Sequence, residues 1–105
     1  MSKPPNQMFF VTVEVRHIES DNFEQPAGAV INSWLIANSK TEAETRARHE
    51  IMKIGWTPTK DLTVTCVRRE DYETSSSAIE YFDQAVLDGI VIVIHAWDRG
   101  DERVN

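Results

Sequence analysis

The sequence predicts an α+β domain, a two-layer sandwich in the order ββαβαβ with a four-stranded sheet and two helices on one face. Three observations carry that prediction. Two stretches alternate apolar and polar residues with period two. Two others set apolar residues at helical spacing, each behind a serine and ahead of a glycine. A last run, Ile90-Val91-Ile92-Val93-Ile94, is apolar without interruption.

The first strand is read over Phe9 to Ile18, where Phe9, Val11, Val13 and Val15 fall on one side and Phe10, Thr12, Glu14 and Arg16 on the other. Period two with β-branched residues describes a half-buried strand. Glu19 to Pro26 is polar apart from Phe23 and reads as a loop. Ala27 to Ala37 holds Val30, Ile31, Trp34, Leu35 and Ile36 with poor alternation, a strand partly covered on both faces.

Ser39 followed by Glu42 forms a capping box, and Ala43, Ala47, Ile51 and Ile54 make one apolar stripe behind it. Glu42–Arg46 and Glu44–Arg48 are acid-before-base pairs at four-residue spacing. Gly55 ends this helix, Trp56 is placed to fold back on its last turn, and Pro58 forbids continuation. Leu62 to Arg68 alternates again as a third strand, with Leu62, Val64 and Cys66 on its better apolar side. A second capping box, Ser77 and Glu80, with Ser75 and Ser76 as competing caps, opens a helix with the stripe Ala78, Ile79, Phe82, Ala85 and Val86, closed by Gly89. The uninterrupted apolar run that follows fits a central strand covered on both faces. The arrangement is ferredoxin-like in general architecture, an analogy that assigns no function.

The chain has 105 residues, enough for one domain, expected over 9–97 between a disordered segment 1–8 and a polar tail 98–105. Seventeen acidic residues against 11 basic leave a net charge of −6. That balance argues against nucleic acid, whose phosphates are held by Lys and Arg, and against anionic membrane surfaces. A single cysteine, Cys66, excludes an internal disulfide scaffold. The polar N-terminal residues do not form a signal peptide and no apolar run spans a membrane, so a cytoplasmic protein is expected. Arg99-Gly100-Asp101 is read as part of a solvated tail.

Function is read from surplus. Two helices on one face leave apolar residues of the second and fourth strands on the other, and patches of that kind mark interfaces or pockets. The expected activity is that of a protein-interaction or regulatory module that self-associates as a homodimer through the open sheet face. Trp34, Val91, Val93 and the loop residue Phe23 would form the contact. Acidic loops carrying Glu19, Asp21, Glu24, Glu70, Asp71 and Glu73 suit a basic protein partner. The alternative is a small-molecule-binding protein or small enzyme whose pocket gathers His17, Trp34, His95 and Trp97, provided the first and last strands are neighbours.

His49 is expected to face solvent, and Cys66 to be a small buried hydrophobe. The three histidines have no metal-ligand spacing, and neither a phosphate-cradling glycine loop nor a nucleophile motif is present. No catalytic residue, metal or cofactor is therefore assigned.

Overall fold

The computed structural model describes residues 7–17, 28–72 and 76–97. Within them lie β1 (Gln7–His17), β2 (Gly28–Ala37), α1 (Lys40–Lys53), β3 (Trp56–Pro58), β4 (Thr63–Val67), a 3-10 turn (Arg69–Asp71), α2 (Ser77–Asp88) and β5 (Ile90–Trp97). The fold is an open antiparallel sheet of five strands with two helices. β1 begins at Gln7, so Met8 is a buried strand residue rather than part of a disordered leader.

The fifth strand comes from Trp56 to Pro58, read from the sequence only as the segment that ends the helix. β3 and β4 both pair antiparallel with β1 and share the same side of it, while β2 lies on its other side and β5 beyond β2. β3 and β4 are thus two pieces of one interrupted outer strand. The Thr59 N–H still bonds the Glu14 carbonyl at 2.9 Å, and pairing resumes at Thr63 opposite Thr12. Lys60, Asp61 and Leu62 therefore stand against the single residue Val13, two residues too many for an unbroken ladder. Leu62 turns inward onto the core, and the Lys60 ammonium reaches the Glu14 carboxylate at 2.9 Å.

The helices lie on opposite faces, which corrects the two-layer expectation. Phe9, Val11, Val13 and Val15 of β1, with Ala29, Ile31, Leu35 and Ala37 of β2, are buried against Ala43, Ala47 and Ile51 of α1. Met8, Phe10, Trp34, Ile36, Val67, Val91 and Val93 point the other way and pack beneath Ala78, Tyr81, Phe82 and Ala85 of α2. The connections explain the difference. α1 joins two strands that run parallel with β1 between them, a crossover whose handedness fixes its side of the sheet. α2 joins β4 to β5, which run antiparallel at opposite edges, so that rule leaves its side to the side chains. Trp34 and Tyr81 supply an aromatic contact on the second face.

The caps follow the residue types. Ser39 Oγ accepts from the Glu42 N–H at 3.1 Å, while the Glu42 carboxylate accepts from the Asn38 N–H at 2.6 Å. Glu44 and Arg48 pair at 3.1 Å. Arg46 leaves its expected partner Glu42 and donates to the Ile36 carbonyl, tying α1 to the end of β2. Gly55 and Gly89 follow their helices with φ of +100° and +90°, a left-handed conformation that favours glycine. In the second helix the competing cap Ser76, not Ser77, takes the N-cap position. Ser76 occupies the N-cap without a side-chain bond to the helix, and Ser77 is already helical.

Candidate functional site

The expected interface residues Trp34, Val91 and Val93 do lie together on one face, as β2–β5 register requires. Trp34 is directly opposite Val91. That face is not open there, because α2 covers it. Trp34 is 5% exposed, its ring centroid 4.9 Å from Phe10 and 5.0 Å from Tyr81. Its indole N–H donates to the Tyr72 hydroxyl at 3.0 Å, so the one polar atom of the ring is satisfied. Tyr72 in turn meets Phe82 edge-on at 6.2 Å. Trp34 is the centre of a second small core. Phe23 lies outside the described residues.

The pocket of His17, Trp34, His95 and Trp97 required β1 and β5 to be neighbours, and β2 separates them. His17 is paired with Trp56 at the β3 side of β1, and His95 is paired with Val30. Two strand spacings alone put them about 10 Å apart. His95 is exposed and four residues along β5 from the partner of Trp34, about 13 Å away. The side chains of His17 and Trp97 lie outside the described residues. Beyond Val30, the partner of His95, the second face turns polar towards β1 and β4. Thr12, Glu14, Asn32 and Thr63 share it, and Thr12 Oγ1 donates to Asn32 Oδ1 at 2.6 Å. α2 covers the apolar half of this face and leaves the polar half to solvent.

Cys66 is exposed rather than buried. Alternation was read correctly, since it pairs with Phe9. An edge strand, however, extends beyond the cover of α1. Cys66 borders a groove of about 310 Å³ floored by Met8, Val67 and Phe82, with Arg68 and Arg69 beside it. Both guanidinium groups are already engaged. Arg69 grips Asp83 through two bonds of 2.8 and 3.0 Å, and Arg68 lies 3.4 Å from Glu70 and 3.8 Å from Asp71. The groove therefore presents no free cation from that pair. Glu70 and Asp71, two of the acids expected to meet a basic partner, are held by the same Arg68. Glu19, Asp21, Glu24 and Glu73 lie outside the described residues.

The sequence reading did not single out the outer edge of β5. It placed the apolar run at the centre of the sheet, and among the described residues β5 is a terminal strand. An uninterrupted apolar run reports that both faces of a strand meet apolar surface. It is silent on whether a strand lies at each side. Here Ile90 and Ile92 pack towards the α1 side, and Val91 and Val93 towards α2. Ile94 is left 41% exposed, and Val86 and Leu87, just before the strand on α2, are 54% and 79% exposed.

Among the described residues, no group of three or more His, Cys, Asp or Glu is placed to hold a metal ion, and no helix is long and apolar enough to cross a membrane. Comparison with protein-family models, curated proteins and solved structures gives no match to this chain.

Proposed function

We propose that the chain is a non-enzymatic protein-interaction or regulatory module that works as a self-associated species, most simply a homodimer. The observation that carries this reading is β5, an eight-residue terminal strand without proline or formal charge, with exposed apolar side chains on and beside it. Soluble monomers rarely leave such an edge uncovered, because unpaired backbone groups beside apolar side chains template further pairing. Dispersal of the expected pocket residues favours this reading over a small-molecule site. An exposed free thiol at Cys66 suits the reducing cytoplasm.

Light scattering across the micromolar range tests the proposal. A species of twice the 12.0 kDa chain mass is expected. A constant mass of one chain overturns it.

A further inference from the structure

We infer that two copies join through the outer edge of β5, antiparallel about a two-fold axis at Ile92, to make one continuous sheet; this rests on the self-association proposed above and names its surface.

The backbone phase comes first. The Ile36 N–H bonds the Gly89 carbonyl at 3.1 Å, extending the β2–β5 pairing by one position. In an antiparallel ladder alternate residues turn both backbone groups to the same neighbour. Val91, Val93 and His95 therefore address β2. Ile90, Ile92 and Ile94 direct their N–H and C=O groups outward, where no described residue pairs with them. Three consecutive outward positions are a complete template for another strand.

Side chains then select the occupant. A partner strand must be apolar on both faces, since β5 carries isoleucines on one and valines on the other. β5 itself meets that requirement. A two-fold axis at Ile92 sets Ile92 against its own copy and Ile90 against Ile94 of the second copy, in bonded pairs. Val91 then lies opposite Val93 of the second copy. His95 meets Gly89 and Asp88 meets Ala96, so no like charges are opposed. This matters for a chain of net charge −6, because the strand from Ile90 to Ala96 carries no Asp, Glu, Lys or Arg and is a place where two such copies can approach. Ile94, exposed in one chain, gains the second copy's Ile90 as an apolar neighbour.

Residue-resolved amide hydrogen exchange, measured on the full chain over a concentration series spanning the light-scattering transition, tests the surface. Val91 and Val93 amides are expected to be protected throughout, being bonded to β2. Ile92 and Ile94 amides should exchange freely in dilute protein and slow at least tenfold as the dimer forms. In parallel, Ile94→Lys, at a position exposed enough to accept the change, should raise the dimer dissociation constant at least tenfold while the circular dichroism spectrum is unchanged. A dimer whose Ile92 and Ile94 amides stay unprotected overturns the edge and leaves the module reading standing. Slow Ile92 and Ile94 exchange that does not vary with concentration also overturns it, since a segment of the same chain then covers the strand. Absence of any dimer overturns both.

Discussion

On one side of the sheet the outer strand is two short pieces, β3 and β4, separated by Lys60, Asp61 and Leu62; on the other, β5 runs for eight residues in unbroken register. The first edge carries the devices by which sheets discourage pairing. Thr59 bonds β1, so the preceding residue, Pro58, occupies a non-bonded position whose nitrogen faces outward and has no proton to offer. Lys60 and Asp61 place charge along the interruption, and Arg68 and Arg69 follow β4 directly. β5 has none of these features over Ile90 to Ala96. The two edges belong to one sheet and one chain, so the difference is local. The two edges differ in backbone continuity and charge rather than in the hydrophobicity of the sheet as a whole, and the proposed association rests on that difference.

The largest expected effect separates the edge from the face beneath α2. Trp34→Ala should cost about 3–5 kcal/mol of stability, the usual loss for a buried aromatic, measured by denaturant unfolding. At concentrations and temperatures where the variant remains folded, its dimer should persist. Loss of the dimer from a fully folded Trp34→Ala protein would shift the contact from the edge to the face and break the comparison.

A smaller effect is expected at the blunt edge. Pro58→Val restores an outward N–H while leaving the bond from Thr59 to β1 in place. Any formation of species larger than a dimer should increase by less than about tenfold over wild type, because the interruption at Lys60 to Leu62 and its charges remain. Sedimentation velocity reads this directly. Strong polymerisation of Pro58→Val would mean that the proline alone, and not the break in register, protects this edge.

The smallest effect concerns the ion pair that ties the β4 end to α2. Hydrogen bonds from Arg69, opposed by slight desolvation and aided by the guanidinium charge, hold the Asp83 carboxyl below its ordinary range. Its contribution to stability is therefore present above the ordinary aspartate pKa of about 3.8 and is lost as pH falls through the depressed value. Both side chains are about half exposed, so solvent and salt screen the pair. The melting temperature of wild type relative to Asp83→Asn should fall slightly below about pH 4, and less so in 1 M salt. No difference between the two proteins from pH 5 to pH 2 would show that the pair contributes nothing to that edge.

The two helices and four of the five strands were legible because local chemistry dictates them. The alternation of Phe9 to Val15, the Ser39 cap and the glycines at 55 and 89 act within a few residues and are found where those residues place them, and of the expected stripe Ala43, Ala47 and Ile51 are buried while Ile54, at the helix end, is exposed. The fifth strand was missed because Trp56 to Pro58 is too short to show a period. Cys66 was read as buried because alternation specifies a face and not the reach of the helix above it. The proposed pocket assumed that the first and last strands are neighbours, and the sheet order does not make them so. His17 and His95 are both rim residues, but no local signal shows that β2 separates their strands.

The sequence by itself determined the α+β class, the two helices, the Ser39 cap of the first, and the apolar character of Ile90 to Ile94, because propensity, periodicity and capping operate along the chain. Only the tertiary structure decided that the helices take opposite faces, that Trp34 is enclosed by Tyr72 and Tyr81, and that β5 is the last strand among the described residues. Those outcomes depend on which strands lie side by side. Lateral neighbourhood is set by long-range pairing and crossover geometry, for which a run of isoleucine and valine is equally suited at the centre of a sheet or at its rim.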